Sequence, residues 1–221
     1  MSLEIEILPD ADKVAERGAE YVAEQAEAAV ADHGRFTFAV SGGRTPWAMF
    51  AHLAEKMPWE KVTIYQVDER IAPEDDPSRN LTHLRESLPA GGSADVRPMP
   101  VNDDDLYDAA AEYGRSLPDA FDLVHLGLGP DGHTASLVPG DPVLEITERK
   151  VALTRKYQGR RRMTLTYPVL DRARHLLWLV TGEDKVDALA RLRANDQSIP
   201  GGRVSPAHAH VIADSAANGY H

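Results

Sequence analysis

Between residues 35 and 67 the chain runs RFTFAV, SGGRT, PWAMFAHLAEK and KVTIYQV. A short apolar run, a glycine-bearing loop, a helical pattern and a second apolar run leave few folds open. The succession predicts a βαβ unit, because parallel strands need a crossover and a helix is the usual one. The rhythm then continues along the chain. A helix near Ser78–Leu88 and another over Asp104–Ser116 precede FDLVHL (Phe121–Leu126), which predicts a third buried strand. KVAL, RMTLT, HLLWLV and HVIAD predict further strands, with a helix over Asp184–Ala194 before the last. Upstream, Val14, Gly18, Val22, Ala26 and Val30 recur every four residues, as on an amphipathic helix with small residues facing the core, and Gly34 suits its C-terminal stop. The expectation is an α/β fold with a largely parallel sheet. No linker-like stretch divides the chain, so residues 1–221 are read as a single domain.

Composition narrows the function. The chain contains no cysteine, which excludes disulfides, zinc–thiolate sites and cysteine nucleophiles and fits a reducing compartment. The N-terminal MSLEIEILPDADK lacks the basic and apolar regions of a signal peptide, and no apolar run reaches membrane-spanning length. A net charge of −11 argues against non-specific nucleic-acid binding, though a basic pocket can still sit within an acidic surface. A cytoplasmic protein with no nucleic-acid or membrane partner is expected.

In an open α/β sheet, ligands bind beyond the carboxyl ends of the strands. Those ends carry Ser41-Gly42-Gly43-Arg44-Thr45, Asp68-Glu69-Arg70, GLGPDGH (Gly127–His133), Thr154-Arg155-Lys156 and Thr181-Gly182-Glu183-Asp184-Lys185. The set is polar, glycine-rich and locally basic, as a phosphorylated small molecule requires. In SGGRTP, Thr45 reads as an N-cap and Pro46 as the first helical residue. Glycines before a helix start let backbone N–H groups approach an anion, unless the loop is an ordinary strand-to-helix turn. The Walker A spacing is absent. In Asp68-Glu69-Arg70, alternation sends Asp68 and Arg70 to one side and Glu69 to the other. An acid there orients a group or accepts a proton and Arg70 holds an anion or oxyanion; the alternative is a loop salt bridge.

GLGPDGH contains the G-x-G-x-x-G pattern of dinucleotide sites, but such a site needs a helix to start at its glycines. Pro139-Gly140-Asp141-Pro142 follows so soon that at most two turns fit, over Thr134–Val138. Glu145 and Glu148 lie near the distance of a ribose-binding acid, yet neither ends an obvious strand. The favoured reading is that Gly129 and Gly132 turn the loop sharply and present Asp131 and His133 to a cleft. Histidine, with a reference pKa of about 6.5, moves protons at neutral pH, and Asp131 would orient it or touch substrate. Elsewhere, His208-x-His210 lacks a third metal ligand, His125 reads as packed in its strand, and Lys185 is a second phosphate candidate. The basic run Arg155–Arg162 reads as a phosphate clamp plus a solvated loop.

SGGRTP, VDERIAPEDDPSRN and LGLGPDGHTASLVPG, with weaker matches at RRRMTLTYPVLDRA, TGEDK and IPGGRVSP, resemble the 6-phosphogluconolactonase family in order and over nearly the whole chain. The resemblance implies an open, largely parallel Rossmann-like sheet with helices on both faces, as in hexosamine-6-phosphate deaminases and ribose-5-phosphate isomerases. It implies hydrolysis of 6-phospho-D-glucono-1,5-lactone in the oxidative pentose phosphate pathway, with no metal or organic cofactor. The histidine of the DGH motif, here His133, is then the general base. Phosphate contacts would come from Ser41, Gly42, Gly43, Thr45, Gly129, Lys185 and one or more of Arg70, Arg155 and Arg162, in a monomer or homodimer. The alignment leaves open which of Arg70, Arg155, Arg160, Arg161 and Arg162 touch the phosphate, and whether Asp68 or Asp131 joins in proton transfer.

Deaminases and isomerases of the hexosamine-6-phosphate type carry an Asn-Glu-Pro-like segment after the histidine. Here that region reads Ser136-Leu137-Val138-Pro139, with Val138 in place of the acid. A sugar-phosphate sensor would carry an added DNA-binding segment, and this chain shows no such basic appendage. Small departures from the lactonase pattern are Val138 for the common Phe, and Pro200-Gly201-Gly202-Arg203-Val204 for Pro-Ala-x-x-Val.

Overall fold

The computed structural model describes residues 3–54, 56–89 and 93–219. In chain order its first half contains β1 (Glu4–Leu8), α1 (Ala11–His33), β2 (Phe36–Val40), α2 (Arg44–Leu53), β3 (Val62–Gln66), β4 (Asp68–Arg70), α3 (Asn80–Ser87), β5 (Asp95–Arg97) and α4 (Leu106–Ser116). The second half contains β6 (Leu123–Leu126), β7 (Val151–Leu153), β8 (Arg162–Leu165), α5 (Tyr167–Leu170), β9 (His175–Val180), α6 (Val186–Arg193), α7 (Pro200–Arg203) and β10 (Ala209–Asp214). Seven strands form one open sheet in the order β1-β10-β9-β6-β2-β3-β5, every neighbouring pair parallel.

Strand alternation divides the apolar residues between two cores, one on each face of the sheet. Phe36, Phe38 and Val40 of β2, Leu177 and Leu179 of β9 and Ile212 of β10 pack with Val14, Val22, Met49 and Phe50 of α1 and α2. Their strand neighbours Ala39, Leu176, Trp178, Val180 and Val211 pack on the other face with Tyr113 of α4 and Leu189 and Leu192 of α6. Burial on both faces is why these strands read as unbroken apolar runs. The small stripe of α1 serves close packing: a Cβ at Gly18 would lie 3.1 Å from the Leu179 side chain. Asp10 caps this helix through the Lys13 N–H, and Gly34 ends it in a left-handed conformation at φ 81°.

Four features differ from the sequence reading. β1 was not anticipated; it is an edge strand whose glutamates interrupt the apolar signal. Nor was the three-residue β5, at the opposite edge. KVAL and RMTLT do not join the parallel sheet. They form β7 and β8, which with β4 make a separate antiparallel sheet in the order β4-β8-β7, since a tight hairpin rather than a crossover connects them. Finally, residues 134–138 are not helical; Ala135, at φ 49°, helps close a turn bridged by Thr134 and Leu137. Among the described residues, no helix is long and apolar enough to cross a membrane.

The topology locates a crevice. From β2 the chain steps outward through β3 to β5, then returns across α4 to β6 on the opposite side of β2. The loops after β2 and β6 therefore diverge at a topological switch point, where ligands of open α/β sheets bind. The small antiparallel sheet brings β4 and β8 to the same place.

Candidate active site

A cleft of about 200 Å³ lies at this switch point, walled by Ser41 and Gly42 after β2, Gly127, Gly129 and His133 after β6, Asp68 and Arg70 of β4, Arg162 of β8, and Lys185 before α6. Five chain segments thus converge, each from a carboxyl strand end or from the antiparallel sheet. Larger grooves exist elsewhere on the surface, but they do not hold these residues.

One wall is cationic. Arg70 and Arg162 stand directly opposite each other across the β4–β8 ladder. Like charges in that position are destabilising unless something between them is negative. Burial, with Arg70 alongside, holds the Arg162 guanidinium below its ordinary pKa, while Asp68 acts the other way. Arg162 Nη2 donates to Gln158 at 3.2 Å, but its buried Nε has no partner among the described residues, and neither does Ser41 Oγ. Arg70 donates to Ser78 O at 3.1 Å and to Asn80 Oδ1. Lys185 completes the wall, its Nζ 2.7 Å from Asp184.

The glycine loop after β2 feeds this wall. Helix α2 begins at Arg44, not Pro46, because Gly43 as N-cap takes φ 141° and lets the chain turn earlier. Thr45 therefore sits in the first turn, its hydroxyl 2.9 Å from Thr181 Oγ1 rather than capping the helix. The first-turn N–H groups lack intrahelical acceptors, and the helix dipole makes that end attractive to anions. Gly42 is required by close approach: a Cβ there would lie 1.9 Å from Asn80 Oδ1. At the end of β2, the Ser41 N–H donates to Nδ1 of the fully buried His125 at 3.3 Å. Burial lowers the His125 pKa to about 3, so the imidazole is neutral.

The other wall carries the proton-transfer candidates. In Gly127–His133 the glycines do not open a helix; they let the loop fold back on itself. Gly129 N–H donates to His133 O at 2.8 Å, and Gly132 N–H to Gly129 O at 2.9 Å. A Cβ on Gly129 would lie 2.0 Å from His133 Nδ1, and Gly132, at φ 80°, would put one 2.5 Å from Ile199. The imidazole thus lies so close to the Gly129 backbone that only glycine fits there. Its Nδ1 is 2.5 Å from Asp131 Oδ1, and Asp131 Oδ2 accepts the Tyr157 hydroxyl at 3.1 Å. Burial alone would raise the Asp131 pKa, but the hydrogen bonds and charge of His133, helped by Tyr157, hold it below the ordinary value. The Tyr157 ring meets the imidazole edge-on at 5.4 Å.

Alternation along β4 falls as expected. Asp68 and Arg70 face the cleft, and Glu69 turns inward to become fully buried. Glu69 accepts from Gln66 Nε2, from the Arg70, Asn80 and Leu81 N–H groups and from Arg79 Nε. It anchors α3 and so places Asn80. Asp68 is engaged on both oxygens, by Ser136 Oγ at 2.5 Å and Asn80 Nδ2 at 3.2 Å.

Of the sequence candidates, Ser41, Gly42, Asp68, Arg70, Gly129, His133, Arg162 and Lys185 come together around the cleft. Asp131 stands behind His133, and Gly43 and Thr45 flank the loop without lining the cleft. Arg155 is outside it: its side chain is exposed beyond β7, while its N–H is held by Asp141. Arg160 pairs with Asp76 at 3.0 Å and Arg161 lies over the Tyr107 ring, so Arg162 alone of that run lines the cleft. Asn80, Ser136 and Tyr157 were not singled out from the sequence. Asn80 and Ser136 lie within the quoted segments VDERIAPEDDPSRN and LGLGPDGHTASLVPG, which was the available signal.

Comparison with known proteins identifies the family. The family model described as glucosamine-6-phosphate isomerases/6-phosphogluconolactonase matches residues 9–213. A 6-phosphogluconolactonase of Synechocystis sp. is 33% identical, the match covering 93% of this chain and 92% of the relative. That of Mycobacterium tuberculosis is 36% identical over 86% of this chain and 85% of the relative. Among solved structures, a 6-phosphogluconolactonase from Shewanella baltica superposes with a TM-score of 0.87 at 25% identity, covering 97% and 98% of the two chains. A monomeric glucosamine-6-phosphate deaminase shares the fold with a TM-score of 0.82 at 18% identity, covering 99% and 100%. With its family model spanning nearly its whole length, the chain belongs to the glucosamine-6-phosphate isomerase/6-phosphogluconolactonase family.

Proposed function

We propose that the protein hydrolyses 6-phospho-D-glucono-1,5-lactone to 6-phosphogluconate, with His133 as the general base. The observation that carries this reading is the division of the cleft: an Asp131–His133 pair on one wall faces two arginines, a lysine and a glycine loop on the other. Relatives at 33% and 36% identity are 6-phosphogluconolactonases, which favours this substrate among phosphorylated sugars.

In this mechanism the substrate phosphate sits between Arg70, Arg162 and Lys185, within reach of the Ser41–Arg44 backbone. Held there, it brings the lactone carbonyl toward His133, and such positioning supplies much of a rate enhancement. Asp131 keeps a proton on Nδ1 and leaves Nε2 free to accept one. His133 Nε2 takes a proton from water as the water oxygen bonds to C1, and the carbonyl electrons move onto its oxygen. Backbone N–H groups or Arg70 stabilise that oxyanion. Collapse reforms the carbonyl and breaks the bond from C1 to the ring oxygen, which leaves with the proton from His133. Asp68, already engaged by Ser136 and Asn80, holds the cationic wall instead of removing a proton.

Deamination or isomerisation of a hexosamine phosphate fits less well. The position of the relay acid is Val138, a buried apolar residue. The test generates the δ-lactone in situ with glucose-6-phosphate dehydrogenase and follows acid release. Acceleration over spontaneous hydrolysis supports the reading; no acceleration, together with turnover of glucosamine 6-phosphate, reverses it.

A further inference from the structure

The β7–β8 hairpin reaches the cleft from outside the parallel sheet. Gln158 at φ 51° and Gly159 at φ 83° form its two-residue tip, flanked by reciprocal backbone hydrogen bonds between Tyr157 and Arg160. Two left-handed residues match the turn that suits the natural twist of a tight hairpin. The hairpin is pinned next to its tip by Arg160 on Asp76. The tip is therefore a defined support for the side chain it carries inward, Tyr157.

That side chain touches both halves of the site. Its hydroxyl donates to Asp131 Oδ2 at 3.1 Å, the oxygen not used by His133. Its ring packs against the His133 imidazole at 5.4 Å and 62°. The guanidinium of Arg162 lies 5.0 Å from the ring centroid, in cation–π range, while Gln158 beside it accepts from the same guanidinium. No other residue described at this site touches Asp131, His133 and Arg162 together.

We propose that Tyr157 is a positioning residue, which orients the Asp131–His133 pair through its hydroxyl and ties that pair to the anion-binding Arg162 through its ring. This deepens the functional reading above and rests on it. A carboxylate bonded on one oxygen alone is free to rotate away from the imidazole; the second bond fixes its plane. Binding of the substrate phosphate by Arg162 then bears on the same ring that backs His133.

The test compares Tyr157→Phe, which keeps the ring, with Tyr157→Ala, which removes it, each in wild-type and Asp131→Asn backgrounds. Tyr157→Phe should lower kcat about tenfold with KM changed less than about twofold, as for a lost hydrogen bond to a charged group. Tyr157→Ala should also raise KM, because Arg162 loses its support. In Asp131→Asn, adding Tyr157→Phe should have almost no further effect, a non-additivity that marks a shared interaction. A second readout needs no substrate: the NMR resonance of the His133 Nδ1 proton, which the hydrogen bond to Asp131 shelters from exchange. In Tyr157→Phe, with Asp131 free to rotate, that resonance should move upfield and exchange faster with water. Wild-type kcat in Tyr157→Phe, an equal loss in the Asp131→Asn background, or an unchanged Nδ1 proton resonance overturns the proposal. If the wild-type protein hydrolyses no phosphorylated lactone, the functional reading fails, and the resonance still decides the part played by Tyr157.

Discussion

Replacing Glu69 with glutamine should be far more damaging than its one-atom change suggests. The carboxylate is fully buried on β4 and gathers donors on both oxygens. Oε1 accepts the Arg70 and Asn80 N–H groups, each at 2.8 Å. Oε2 accepts Leu81 N–H at 2.8 Å, Gln66 Nε2 at 2.9 Å and Arg79 Nε at 3.4 Å. Glutamine keeps the volume, but either orientation turns an NH₂ group toward two or three donors and leaves the buried Arg79 without its counter-charge. Each orphaned buried donor costs about 1–3 kcal/mol, and breaking a buried ion pair costs about 3–5 kcal/mol, with overlap between the two. A loss of about 4 kcal/mol is expected, which for a chain of this size lowers Tm by roughly 8–16 °C. Urea unfolding followed by circular dichroism reads the stability directly, with the m-value expected to stay constant. Because Asn80 braces Arg70, the folded fraction should also show a raised KM for the phosphorylated substrate. A change below about 1 kcal/mol would refute the view that this carboxylate organises α3 and the cationic wall.

Two further outcomes follow from the glycine loop and the buried histidine. Gly129→Ala puts a Cβ 2.0 Å from His133 Nδ1, so the imidazole must swing away, and kcat should fall by about 10²-fold, as expected when a catalytic group is misplaced by about 1 Å; secondary structure by circular dichroism should persist. His125, with its folded pKa lowered to about 3, binds a proton more readily unfolded than folded. Its contribution to stability is therefore complete above the unfolded pKa of about 6.5 and is lost as pH falls toward 3, at about 1 kcal/mol per pH unit. Denaturation of wild type and His125→Gln between pH 4 and pH 7 should show that extra slope only in the wild type.

The parallel core was legible because strands buried on both faces advertise themselves as unbroken apolar runs, as in FTFAV and HLLWLV. The edges were not. EIEIL pairs on one side only and alternates charge with apolar residues, while Asp68-Glu69-Arg70 forms a strand made wholly of charged residues. The residues lining the cleft were legible where loops at strand ends combine glycine with chemistry. GLGPDGH matched a dinucleotide pattern, yet its glycines make room for His133 instead of cradling a pyrophosphate. What sequence did not resolve was the basic run from Arg155 to Arg162. Residue type is uninformative there; only the antiparallel register, which sets Arg162 opposite Arg70 and leaves Arg155 exposed, separates them. Tyr157 was illegible for the same reason, since its partner Asp131 is reached only through the hairpin.

The central claim is that His133 performs the proton transfer in lactone hydrolysis. The kcat of His133→Asn on 6-phospho-D-glucono-1,5-lactone, corrected for spontaneous hydrolysis, tests it most directly. Loss of general base catalysis predicts a fall of about 10²–10⁴-fold, with KM little changed because the phosphate contacts remain. A variant that retained wild-type kcat would contradict the account.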